Sequence, residues 1–225
     1  CKADIEKNLG KRMTFSAECP YGTENERVME YAYKIFPALR NRMPEPWLDE
    51  LNRGSRKQPG QSQNEYVQWQ RGPVRKISMA EMKSYVDTCL QHDNIWLVLV
   101  FHGVDGIGYE PRTGAELQEY FSYIKEREPS LYVGTFGDVA KYIKERKNST
   151  VKSEVRGNSI AVNVSSTLDP GLYDVALTLK TYIPKGWKSI GLDRRGNDEK
   201  LQILKDSGGP YVIYPVKPGE GEVVL

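Results

Sequence analysis

Apolar residues recur at helical spacing in several stretches of the first two-thirds of the chain, and short apolar runs lie between them. Residues 4–9 read as the end of a helix stopped by Gly10, and residues 13–17 as a strand. Thr23, with Glu26 three residues on, predicts a capping box, in which each side chain satisfies a free backbone N–H at the helix start. The apolar face of that helix is Val28, Tyr31, Ala32 and Ile35. Ser78 and Glu81 repeat the device before a face of Met82, Val86 and Cys89, with Ile77 and Met82 placed as a hydrophobic staple. A strand at residues 96–101 follows. Thr113 and Glu116 cap a third helix, with Leu117, Tyr120, Phe121 and Ile124 on its face. A strand at 131–133 precedes a last helix opened by Thr135 and Asp138.

Continuous apolar strands alternating with capped amphipathic helices predict a parallel α/β sheet or barrel. Between Pro44 and Pro73 the pattern breaks, and the Gln-, Gly-, Pro- and Arg-rich sequence there predicts a long surface loop. Beyond the polar stretch at 147–150 the pattern changes again. Short strand-like segments at 151–156, 159–164, 175–183, 187–192, 211–216 and 222–225 are separated by Gly- and Pro-containing turns, which predicts a small antiparallel sandwich. Two domains are expected, residues 1–147 and 150–225. No internal repeat is visible.

Composition narrows the functional classes. The chain has 225 residues, 39% hydrophobic and 28% charged, with a formal net charge of +2. Lys plus Arg (32) so nearly equals Asp plus Glu (30) that the balance gives no electrostatic case for a nucleic-acid or membrane-surface partner. The longest apolar run is far too short to span a bilayer. Cys1, Cys19 and Cys89 have no C-x-x-C spacing; one bridge with a free thiol and three reduced cysteines are both allowed. Starting on Cys1 without a leader, the chain reads as truncated or processed. Asn148-Ser-Thr150 and Asn163-Val-Ser165 fit the glycosylation pattern, which is common by chance, and no phosphate-binding glycine loop is present.

His102 directly follows the apolar strand and precedes Gly103. In α/β folds functional groups gather at the C-terminal ends of parallel strands, and an imidazole there suits proton transfer near neutral pH. His92, in Gln91-His-Asp-Asn94, reads as a solvated loop residue. Cys19-Pro-Tyr-Gly22 lies between a strand and a capped helix, where backbone N–H groups can face a developing oxyanion. Asp105 and Tyr109 are expected at the same mouth as His102. Trp47, Tyr66, Trp69 and Arg71 in the long loop either stack on sugar faces or anchor that loop to the body, and the anchoring role is the simpler. Arg40, after Ala38-Leu39, is a candidate site residue, and a solvated helix end or an ion pair is the simpler reading.

Four segments together resemble the polysaccharide deacetylases of the NodB-homology type, carbohydrate esterase family four. They are Lys2-Ala-Asp-Ile-Glu-Lys-Asn-Leu-Gly10, Met13-Thr-Phe-Ser-Ala-Glu-Cys-Pro-Tyr-Gly22, Val98-Leu-Val-Phe-His-Gly103 and the stretch from Val133-Gly-Thr-Phe-Gly137 to Arg146. The similarity covers roughly residues 2–146. It implies a partial parallel (β/α) barrel followed by the β-sandwich, and a metal-dependent hydrolase that removes acetyl groups from an N- or O-acetylated polysaccharide. His102 would then be the general acid and the Tyr21 backbone N–H an oxyanion donor, with Pro20, Asp105, Tyr109 and Trp47 contacting substrate. A secreted, periplasmic or cell-surface location follows from such a substrate. Glu18 stands where many members have arginine. The family's Asp-Asp and His-x-x-x-His motifs are absent, so the divalent metal, zinc or similar, is expected in an intact parent and its ligands are not expected in this chain. By itself the chain is expected to be inactive and to need a missing N-terminal half or a partner chain. A barrel glycosidase is the weaker enzyme alternative, because no carboxylate pair sits at paired strand ends. The non-enzyme alternative is a carbohydrate-binding or cell-surface interaction protein with a degenerate α/β domain.

Overall fold

The computed structural model describes residues 2–10, 14–20, 25–52, 54–72 and 76–225. The chain divides into two compact units, Cys1–Gly137 and Asp138–Leu225.

In the first unit, α1 (Lys2–Leu9) precedes β1 (Ser16–Ala17), α2 (Glu26–Tyr33), β2 (Ala38–Leu39), β3 (Leu48–Leu51), β4 (Tyr66–Arg71), α3 (Met79–Leu90), β5 (Ile95–Leu99) and α4 (Gly114–Lys125). The strands form a two-stranded sheet, β1–β2, and a three-stranded sheet, β3–β4–β5, both parallel. The register pairs Gln68 with Glu50 on one side and with Trp96 on the other. Alternation then puts Glu50, Gln68, Gln70 and Trp96 on one face, and Leu51, Val67, Trp69 and Leu97 on the other. The second face is covered by α3. Trp69 and Tyr85 meet edge to face with centroids 5.6 Å apart, while Met82, Val86 and Tyr120 join α3 to α4. The buried Tyr120 hydroxyl donates to the Met82 carbonyl at 3.0 Å.

The expected partial barrel is not formed. Among the described residues the parallel strands remain two small sheets with no closure between them. Closing a barrel requires every strand edge to be paired. Here β1 and β2 are only two residues long, and residues 131–133, expected as a strand, make no ladder, with Tyr132 and Val133 exposed. The expected loop at 44–73 instead contains β3 and β4. The helix expected from Thr23 begins at Glu26, with the Asn25 side chain accepting from the Val28 N–H at 3.0 Å; Thr23 itself lies outside the described residues. Thr113 and Glu116 form the full capping box. Ser78 caps α3, but the Glu81 carboxylate turns to the Tyr85 hydroxyl.

The second unit takes most of α5 (Phe136–Asn148) and then β6 (Ser149–Arg156), β7 (Ser159–Ser166), β8 (Leu177–Tyr182), β9 (Gly191–Arg194), β10 (Asn197–Lys200), β11 (Leu204–Asp206), β12 (Gly209–Val216) and β13 (Glu222–Val224). They make two antiparallel sheets, ordered β10-β9-β13-β7-β6 and β11-β12-β8. Both contribute to one core, including Val162 and Val164 from β7, Leu192 from β9, and Val212, Tyr214 and Val216 from β12. The mixture of small parallel and antiparallel sheets replaces the barrel in the description of the chain. The β9–β10 hairpin turns on Arg195 and Gly196, at φ 54° and 87°, the left-handed pair that matches strand twist in a two-residue loop. On α5, Lys141 pairs with Asp174 at 3.1 Å, and the buried Glu145 accepts the Val175 N–H. Cys89 carries a free thiol. Among the described residues no helix is long and apolar enough to cross a membrane.

Candidate functional site

Parallel strands bring several chain segments to one end of the sheet, and the first unit concentrates its polar chemistry there. Glu18 follows β1, and Arg40 and Asn41 follow β2. The Arg40 guanidinium grips both Glu18 oxygens, with Nε at 2.6 Å, and Asn41 donates to the same carboxylate at 3.2 Å. Gln70, near the end of β4, donates to the Arg40 carbonyl at 2.6 Å and to the Gln68 side chain at 3.2 Å. Gln68 is fully buried, and its Nε2 has no acceptor among the described residues. An unmet buried amide of this kind is costly, so it is one of the few polar groups the fold leaves unsatisfied. On the same face, burial pushes the Glu50 carboxyl up to about 7, against the Met43 N–H that donates to it at 3.0 Å and the nearby Arg42 charge.

His102 lies three residues beyond the end of β5, its side chain exposed. Neither ring nitrogen makes a hydrogen bond among the described residues. The ring is instead held edge-on by Tyr109, centroids 5.2 Å apart with planes at 84°. Residues 103–112 fold back tightly to place that tyrosine: the Gly103 N–H donates to the Tyr109 carbonyl at 3.0 Å, and the Arg112 N–H to the Gly103 carbonyl at 3.0 Å. Asp105 and Glu110 adopt left-handed backbone, φ 51° and 42°, a strained choice for non-glycine residues. The Asp105 carboxylate is engaged at the start of α4, where its Oδ1 accepts the Gly114 N–H at 2.7 Å. One Glu110 carboxylate oxygen is buried without a partner among the described residues.

The structure brings His102 and Tyr109 into contact and gives Asp105 a capping role close by. Pro20 is exposed just beyond Glu18 at the strand ends. Tyr21 lies outside the described residues. Trp47 stands at the opposite end of the three-stranded sheet, before β3, where it packs edge-on against Tyr66 with centroids 5.9 Å apart. His92 is half-buried and rests its ring over Gly60, where a Cβ would come within 2.9 Å of Cε1. Sequence reasoning missed Gln68, Gln70 and Glu50 because their strands were read as loop; the Gln-x-Gln alternation at 68 and 70 was the available signal. Arg40 is the ion-paired residue that the simpler reading of its position anticipated.

Between β4 and α3, on the other face of the sheet, lies a cavity of about 560 Å³ bordered by Trp69, Arg71, Glu81, Ser84, Tyr85 and Thr88, among others. Among the described residues no three His, Cys, Asp or Glu side chains converge as metal ligands would.

No family model matches this chain. A gellan lyase from a Bacillus species is 24% identical to it over 137 residues, which is 58% of this chain and 6% of that protein, so the chain spans a small fraction of the length of this curated relative.

Proposed function

We propose that this chain engages a polysaccharide and serves in removing acetyl groups from it, with His102 as the proton donor. The observation that carries the reading is the placement of His102: a strand-end imidazole, exposed, in edge-on contact with Tyr109 and without a hydrogen bond to either nitrogen among the described residues. A hydrolytic deacetylation adds water across the acetyl C–N or C–O bond and releases acetate. The departing amine or alcohol takes a proton as that bond breaks, and an imidazolium at this position can supply it. The likeness to a lyase named for gellan, a polysaccharide, supports a sugar polymer as partner. Such a partner implies a secreted, periplasmic or cell-surface setting.

The resemblance to deacetylases implies a divalent ion, and the donor set of this chain does not fit one: the described residues contain no converging ligand triad. No step is therefore derived through a metal. In this reading these residues hold the sugar and place His102 to donate a proton.

The test is acetate release from an acetylated oligosaccharide by the full-length protein and its His102→Ala variant. Turnover is expected to fall by roughly two to four powers of ten. An unchanged rate would reduce His102 to an ordinary strand-end histidine. A second reading, saccharide binding without chemistry, is favoured by the aromatic-lined cavity and predicts glycan retention with no acetate released.

A further inference from the structure

The cavity between β4 and α3 lies on the face of the sheet opposite Gln68 and Gln70, and its two walls differ in chemistry. Glu81, Ser84, Tyr85 and Thr88 follow helical spacing and line one wall as a single stripe. The Ser84 hydroxyl donates to the Glu81 carbonyl at 2.7 Å, and the Thr88 hydroxyl to the Ser84 carbonyl at 2.8 Å. Both hydroxyls are therefore left as acceptors, and the Glu81 carboxylate, holding the Tyr85 hydroxyl at 3.1 Å, is also an acceptor. This wall accepts. The β4 wall donates. Trp69 is 4% exposed and lines the cavity with its ring. The Arg71 guanidinium stacks over the Trp69 ring at 4.7 Å.

We infer that this cavity is a second ligand site, taking a neutral, hydroxyl-rich ring, one unit of a saccharide. A sugar hydroxyl both donates and accepts, so one ring can donate to the acceptor wall and accept from the Arg71 guanidinium. The Trp69 and Tyr85 rings, edge to face at 5.6 Å, offer apolar surface to its C–H groups. Phosphate or a carboxylate could meet Arg71 on one wall but would face the Glu81 carboxylate and two hydroxyl lone pairs on the other. The volume, about 560 Å³, falls within the range of small-molecule sites. The inference shares with the proposed function only the expectation of a sugar, which selects the probes.

The test titrates the full chain with gellan, xylan and chitin oligosaccharides and, separately, with inorganic phosphate, following the Trp69 indole N–H resonance by NMR. Trp69→Phe identifies that resonance by its loss. At least one oligosaccharide is expected to move it at or below about 10 mM, the weak end of specific binding. Ser84→Phe, a bulky change at an exposed helix position on the cavity wall, should weaken that binding about tenfold or more. No shift with any oligosaccharide, unchanged affinity in Ser84→Phe, or tighter binding of phosphate would each overturn the site. The readout is independent of turnover, so failure here and failure of the His102 assay are separate results.

Discussion

Tyr109 meets His102 edge-on, with ring centroids 5.2 Å apart, because the chain between them closes on itself at Gly103. That closure depends on a missing side chain. A Cβ at Gly103 would lie 2.0 Å from the Ile107 carbonyl oxygen, which is backbone and has little room to yield.

Gly103→Ala is therefore expected to open the 103–109 turn and withdraw Tyr109 from His102, at a cost of about 1–3 kcal/mol in stability. Denaturant unfolding measures the cost, and the ring-current shift on the His102 C–H protons measures the separation. A variant of native stability with an unmoved His102 spectrum would show that the turn tolerates the methyl group.

The Glu18–Arg40 pair joins the ends of β1 and β2 through a two-point contact, with side chains 31% and 23% exposed. Partial exposure limits its strength. A double-mutant cycle with Glu18→Gln and Arg40→Gln should give a coupling of about 1 kcal/mol at low salt, shrinking as salt is raised. Coupling indistinguishable from zero at low salt would mean that Gln70 and Asn41 hold this corner without the ion pair.

Stability should fall as pH rises toward neutrality. Burial lifts the Glu145 carboxyl from 4.5 to about 7, helped by Asp174 and opposed by the Val175 N–H and by Lys141 and Lys217. The folded state then binds a proton that the unfolded chain has already released, so its contribution is full below pH 4.5 and lost as pH passes through about 7. Glu145→Gln, whose amide carbonyl can still accept from Val175, should flatten this slope and raise stability at pH 8 by up to about 2 kcal/mol. Equal destabilisation of the variant at pH 5 and pH 8 would contradict this account. Glu50, also lifted to about 7, contributes a slope of the same sign.

Zinc binding tests the donor set. The chain has two histidines, one resting on Gly60 and one edge-on to Tyr109, and no ligand triad among the described residues. Equilibration with zinc followed by dialysis should leave well under one equivalent by atomic absorption. Stoichiometric zinc retained by the wild type and lost in His102→Ala would place His102 in a metal site rather than in proton transfer.

Local rules operate over three or four residues and were legible directly. Ser78 and Thr113 cap their helices because the groups they satisfy are three positions away, and the alternation of Val212, Tyr214 and Val216 with exposed neighbours marks a half-buried strand wherever its partners lie. Asn25 in place of Thr23 at the start of α2 shows the limit, since two acceptable caps lay within one turn of each other.

Sheet pairing was decided elsewhere. Whether parallel strands close into a barrel depends on edges meeting across long separations, and a resemblance in short motifs carries no information about strands only two residues long. Pairing alone revealed β3 and β4 within a Gln-, Gly- and Arg-rich stretch, and with them the buried Gln68 and the cavity beneath Trp69. The grip of Arg40 on Glu18 spans 22 positions, and Trp47 and His102 lie at opposite ends of one sheet. A sequence determines which residues can cap, alternate and carry a charge. Only the tertiary structure determines which of them meet, because those contacts form only once chain closure brings distant segments together.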